Sequence, residues 1–153
     1  MPKFDAGKWA EKEVQAWLEA KSAADAGFAW HRFPDARAAR GALAAQPCDF
    51  LVSMAMDDNG GHRTVFLEVK ETAQKNRLPK AKISQYGTLK KFYWTNADVM
   101  VLVYMSEFKK WVVLQSTAEQ DDLFYYDECP PSFDLSIYVR FDTAAEALST
   151  LLF

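Results

Sequence analysis

Three ionisable residues interrupt two stretches that otherwise read as core strands. The segment CDFLVSMAMDDNGGHRTVFLEVKE, residues 48–71, holds two apolar runs around a DDNGG turn, the pattern of a β-hairpin. Asp49 lies near the start of the first run, and Glu68 and Lys70 close the second. Ionisable groups are costly in a core strand unless they are paired or bind something. Strand alternation puts Glu68 and Lys70 on one face and Val69 on the other. With a turn at about Asn59–Gly60, Asp49 falls near both, so two carboxylates meet beside one ammonium. Adjacent carboxylates repel unless a proton or a cation lies between them. A hard ion such as Mg²⁺ takes one or two carboxylates, waters and phosphate oxygens, and the Val69 carbonyl offers one oxygen more. Such an ion polarises a phosphoryl oxygen and lowers the pKa of a bound water. Lys70 then neutralises charge in the transition state or orients the attacking water. The chemistry is that of phosphodiester hydrolysis. An E-x-K triplet alone is common on exposed strands. Here VFLEV is apolar on both faces and an acid is matched on the preceding strand, which argues for a covered site.

Positioning these groups requires a sheet. GKWAEKEVQAWLEAKSAADAG reads as an amphipathic helix, with Trp9, Val14, Trp17, Leu18 and Lys21 at three- and four-residue steps and Gly27 as terminator. FAWHRF is a short strand closed by Pro34, and the Ala/Arg-rich DARAARGALAAQ is a helical turn or a loop. Hairpin strands are predicted near 49–56 and 63–70, then a basic loop over 71–82 broken by Pro79. ISQYGTLKKFYWTNA carries Ile83, Tyr86, Leu89, Phe92 and Tyr93 at helical spacing. DVMVLVYM and KKWVVLQ are buried strands joined by SEFK. An acidic stretch with Pro130–Pro131 leads to a strand (SIYVRF) and a terminal helix capped by Asp142 or Thr143. The order α, β, β, β, α, β, β is that of a mixed α/β domain, a central sheet between helices.

The chain has 153 residues, enough for one domain with its own core. No apolar run approaches the roughly 18–20 residues that cross a bilayer, and MPKFDAGKWAEKE is too polar for a signal peptide. Cys48 and Cys129 lack metal-type spacing, and the expectation is reduced thiols in the cytoplasm. No zinc set, P-loop or dinucleotide fingerprint is present. The net charge is −3, but residues 1–91 hold 15 Lys/Arg against 11 Asp/Glu and residues 92–153 hold 3 against 10. The densest basic stretch, 70–91, includes Lys75, Arg77, Lys80 and Lys82. A local basic patch binds phosphates whatever the total charge.

These residues resemble the PD-(D/E)XK nuclease superfamily, with Asp49 as first acid (Cys48 stands where that motif has Pro) and Glu68-Val69-Lys70 as the E-x-K. GKWAEKEVQAWL resembles the first helix of Holliday junction resolvases, whose Gly-x-x-x-Glu pattern falls on Gly7 and Glu11. WHRFP is similar to their first strand and QPCDF to the lead into the first acid. LEVKETAQKNRLPKAKISQYGTLKKF resembles the RecU-like branch, where Lys-Glu-Thr precedes a basic loop and a helix bearing a Gln, here Gln85. The resemblance spans about residues 7–115, leaving 116–153 as an acidic C-terminal extension of a single nuclease domain.

It implies a restriction-endonuclease-like core and a Mg²⁺-dependent endonuclease, with Mn²⁺ as substitute, acting on branched DNA as a homodimer. Asp49, Glu68 and the Val69 carbonyl would hold metal, supported by Glu11; Lys70 would be catalytic and Gln85 near the scissile phosphate. Without the resemblance, Glu11 reads as a solvent-facing helix carboxylate and Gln85 as an ordinary polar helix residue. Arg32, Arg37, Arg40, Lys75, Arg77, Lys80 and Lys82 are the expected DNA contacts. The RecU-like branch inserts a long stalk after its first strand; here only residues 35–46 separate Pro34 from Pro47. Three other readings stand beside this one: another DNA substrate (restriction-like, flap or repair), a DNA-binding module that does not cut, and an interaction protein using its acidic tail. His31 and His62 are expected to be structural or phosphate-contacting rather than general bases, and Trp30, Trp94 and Trp111 to be core.

Overall fold

The structure is a computed structural model that describes residues 3–34, 46–56 and 60–153. Arg37, Arg40 and the hairpin turn at 57–59 lie outside the described residues. In chain order the elements are α1 (Ala6–Ala24), β1 (Phe28–Arg32), β2 (Phe50–Ala55), β3 (His62–Thr72), β4 (Arg77–Pro79), a 3-10 turn (Lys80–Lys82), α2 (Tyr86–Trp94), β5 (Asp98–Met105), β6 (Lys110–Ser116), β7 (Ser132–Asp134) and α3 (Ala144–Leu152). Five strands form one mixed sheet in the order β1-β2-β3-β5-β6. Only β3 and β5 run parallel within it; the other neighbours are antiparallel. The α2 crossover is what a parallel β3–β5 pair demands. This is the expected α/β class, a central mixed sheet flanked by helices.

Alternation divides β3 between two hydrophobic layers. Val65, Leu67 and Val69 join Val14 and Leu18 of α1 and Leu148 of α3, whereas Phe66 joins Leu89 of α2 and Val101, Val103 and Leu114. Every residue of β5 after Asp98 is buried, as a strand covered on both faces should be. Asp5 caps α1 by accepting the Lys8 N–H at 3.0 Å. The helix stops at Asp25 rather than Gly27, because the Asp25 carboxylate accepts the Gly27 N–H and turns the chain. No helix among the described residues is long and apolar enough to cross a membrane.

Several sequence-based expectations need correction. The basic stretch 71–82 is not one loop: β3 continues to Thr72, and β4 pairs with β7 as a second, two-stranded sheet. The Asn76 backbone between them is left-handed (φ 55°), a conformation Asn tolerates. Helix α2 begins at Tyr86, so Ile83 is buried just ahead of the helix and Gln85 is its N-cap residue. SIYVRF is not a strand. Asp134 Oδ1 accepts both the N–H and the hydroxyl of Ser136, forming a local turn that diverts the backbone from any sheet. Ile137 and Val139 are exposed, and only Phe141 bridges to Trp111. Trp111 is core as expected, but Trp94 is exposed at the end of α2 with the Lys90 ammonium over its ring.

The last forty residues feed both layers: Leu123, Phe133 and Leu135 join one, and Ala147, Leu148 and Leu152 the other. Thr143 caps α3 by accepting the Glu146 N–H. Leu135 is fully buried, so Leu135→Ala should cost about 2–4 kcal/mol in a urea melt. Ile137→Ser, two residues on, should change stability by less than about 0.5 kcal/mol. Equal losses at both positions would restore the strand reading.

Candidate active site

The β2–β3 register decides where the carboxylates meet. Phe50 lies opposite Leu67, so Asp49, one residue ahead of β2, comes level with Glu68 itself. A turn centred on Asn59–Gly60 would instead have put it level with Lys70. Past Leu67, β3 has no β2 partner, and the Val69 N–H donates to Asp49 Oδ2 at 2.8 Å in its place. The N–H and C=O of one strand residue point toward the same neighbour, so the Val69 carbonyl faces the same gap. Asp49 is held from behind as well, its own carbonyl accepting the Phe33 N–H at 2.9 Å.

Glu68 is 4 % exposed. Lys70 Nζ stands 3.6 Å from Glu68 Oε1. Burial pushes the Glu68 carboxyl up to about 9, the Asp49 carboxyl adds to the shift, Lys70 opposes it, and Glu11 adds a smaller push. Without a cation, Glu68 therefore carries a proton at neutral pH. Glu11 projects from α1, on the other side of the sheet, and reaches the same cleft at the sheet's end. Burial, then Asp49, raises its carboxyl, while Arg32 counteracts with a hydrogen bond of 3.1 Å.

These groups line a cleft of about 700 Å³. It brings together Glu11, Asp49, Glu68, Lys70 and Gln85, with Arg32 and Lys82 at its walls. Lys75, Arg77 and Lys80 are exposed but do not line it. Arg77 donates to Ser132 Oγ at 3.1 Å, consistent with its place in β4. Lys82 Nζ lies 4.0 Å from Glu71 Oε2, and Gln85 Oε1 accepts from the Thr88 hydroxyl at 3.4 Å. His31 and His62 are exposed and outside the cleft wall.

Gln46, Cys48 and Ser84 also line the cleft, and sequence reasoning gave them no role there. Cys48 carries the clearest signal, as the neighbour of Asp49. Its thiol is driven upward by burial and then by Glu68 and Asp49, so it remains protonated and donates to the Phe50 carbonyl. Neither Gln46 nor Ser84 belongs to a periodic pattern that would have marked it.

Among the described residues, no three His, Cys, Asp or Glu side chains are grouped to hold a metal ion. The donor set is smaller: two carboxylates at Asp49 and Glu68 and one carbonyl at Val69. That composition suits Mg²⁺, which keeps several waters and uses one or two carboxylates plus substrate phosphate rather than an all-protein cage. Glu11 lines the same cleft but is engaged by Arg32.

No family model matches the sequence, and no curated protein matches it. Among solved structures, the chain is similar to Hjc of Archaeoglobus fulgidus, a Holliday junction resolvase from an archaeal hyperthermophile. Identity is 20 %, the TM-score is 0.48, and the match covers 92 % of this chain and 96 % of the other. So distant a likeness transfers no activity, and function has to be read from the side chains of the cleft.

Proposed function

We propose that the protein is a metal-dependent endodeoxyribonuclease acting on branched DNA, most specifically a Holliday junction resolvase. The observation that carries this reading is the level pairing of Asp49 with Glu68 in an open cleft, with the Lys70 ammonium 3.6 Å from the Glu68 carboxylate. A buried Glu68 carboxyl facing the half-buried Asp49 carboxylate is a place where a cation between the two relieves their repulsion. A Mg²⁺ or Mn²⁺ ion bound by Asp49, Glu68 and the Val69 carbonyl would supply Lewis-acid polarisation of the phosphate and a more acidic water. The chain's own residues do the rest. The Val69 N–H fixes the Asp49 carboxylate, and β3 fixes Glu68 and Lys70 on one face. Lys70 neutralises negative charge as the phosphodiester is attacked. Gln85, at the start of α2, and Lys82 orient the phosphate from the opposite wall.

Branched DNA and a homodimer belong together in this reading, because symmetric cutting of two strands needs two sites related by a twofold axis. One observation favours a second substrate reading, a flap or linear duplex: only residues 35–46 occupy the position of the RecU-like stalk. The test is cleavage of labelled four-way junction, flap, linear duplex and single-stranded DNA, each with Mg²⁺ and with EDTA. Paired cuts confined to the junction are expected. Cutting that ignores branching would keep the chemistry and remove the resolvase. No cutting by folded, DNA-binding protein would leave a binding module.

Lys82→Glu should weaken binding of every DNA alike and lower the slope of log affinity against log salt by about one, since a phosphate contact carries no sequence information. Filter binding between about 50 and 200 mM salt measures both. An unchanged slope would take Lys82 out of the interface.

A further inference from the structure

The Glu11–Arg32 pair stands between two cavities. One is the cleft; the other is a groove of about 400 Å³ across α1, lined by Lys8, Lys12, Gln15 and, with its carboxylate held by the Gln15 amide, Glu19, and both have Glu11 and Arg32 in their walls. Arg32 donates to Glu11 Oε2 and to Gln15 Oε1, each at 3.1 Å. Both partners are part-exposed, Arg32 at 39 % and Glu11 at 28 %. A pair wetted to that degree exchanges partners without stranding a buried charge. The Arg32 guanidinium has two competing anions available to it: the Glu11 carboxylate on the cleft side, and any phosphate that enters the groove beside Lys8 and Lys12. Its planar fork suits either. Glu11 is likewise contested, because its carboxylate also feels Asp49 and Lys70 within the cleft.

We propose that the Arg32–Glu11 ion pair is a latch that couples DNA binding in the α1 groove to cation binding in the cleft. A backbone phosphate draws Arg32 toward the groove, and the released Glu11 carboxylate becomes available to the cation beside Asp49. Arg32 is thus a positioning residue, acting on the cation site through Glu11. The latch rests on the nuclease reading above, and it adds to that reading an order: without DNA, Glu11 stays occupied and the cation is held less tightly. Because binding free energies are reciprocal, the cation must favour DNA by the same factor.

A double-mutant cycle isolates the latch from general charge effects. The DNA arm measures binding of a labelled four-way junction in EDTA. Glu11→Gln should tighten it about fivefold when Arg32 is present and less than twofold in the Arg32→Gln background. Simple repulsion between Glu11 and DNA would give equal gains in both. The cation arm is calorimetry with Ca²⁺ and no DNA. Arg32→Gln should tighten Ca²⁺ about fivefold with Glu11 present and less than twofold in the Glu11→Gln background. Lys12→Gln, which removes a neighbouring charge outside the pair, should leave both cycles coupled. Additive cycles in a protein that binds both ligands would overturn the latch alone. Failure of the wild-type protein to bind either ligand would overturn the nuclease reading and the latch with it.

Discussion

Glu68→Gln should abolish cleavage, by at least about a thousandfold, and yet make the cation-free protein more stable at pH 8 by on the order of 5 kcal/mol. The two effects share one cause. Folding lifts the Glu68 carboxyl from an ordinary 4.5 to about 9 through burial and the facing Asp49. Between those values the native state holds a proton that the unfolded chain has released. The associated stability is fully present below about pH 4.5 and is lost as pH rises toward 9. Glutamine has no such proton to lose. Urea melts in EDTA should therefore show wild type and variant close together at pH 5 and separating as pH increases. Excess Mg²⁺ should recover the wild type most at the higher pH and leave Glu68→Gln unmoved. A variant less stable at every pH would mean that Glu68 is a packing residue.

Lys70→Ala should separate rate from affinity. Its ammonium is 3.6 Å from Glu68 and lowers the cost of ionising that carboxylate. Removing it takes away a competitor of the incoming cation, so Mn²⁺ should bind about threefold more tightly. Cleavage should nevertheless fall about a hundredfold to a thousandfold, because the charge that develops on the phosphate loses its nearest fixed counter-charge. Single-turnover rates across a Mn²⁺ titration resolve the two, and saturating metal should not rescue the rate. Rescue at high Mn²⁺ would reduce Lys70 to an electrostatic neighbour of the metal site. Lys70→Arg should recover only part of the rate, since the broader guanidinium cannot occupy the ammonium's place.

The cleft was legible in the sequence wherever strand alternation governs it. Glu68 and Lys70 had to share a face, and VFLEV, apolar on both sides, announced a covered strand. Asp49 could be matched to them only approximately, because a hairpin's register depends on its turn, and a shift of two residues moves the pairing from Lys70 to Glu68. Glu11 and Gln85 had no local signal at all. They reach the site through the packing of α1 and through the start of α2, and only family resemblance singled them out. Resemblance could not show that Glu11 is already engaged by Arg32.

The misreadings have physical sources too. SIYVRF has strand composition, but the Asp134–Ser136 turn opens it and the edge strand β6 receives only Phe141, at Trp111. The RLP of β4 is too short to read as a strand and exists because β7 supplies a partner more than fifty residues later. Trp94 is expected in the core, yet α2 ends there and leaves the ring in solvent. Propensity reports what a segment prefers; the partner across the sheet decides what it becomes.

The central claim is that the Asp49–Glu68 pair makes this cleft a cation-dependent phosphodiesterase. Its most direct test is cleavage of end-labelled four-way junction by wild type and Asp49→Asn, purified in parallel, with Mg²⁺ and with EDTA. The account predicts cutting by wild type with Mg²⁺ only, and none by Asp49→Asn in either condition although it still binds the junction. Cutting that survives EDTA, or that Asp49→Asn performs as well as wild type, would contradict it.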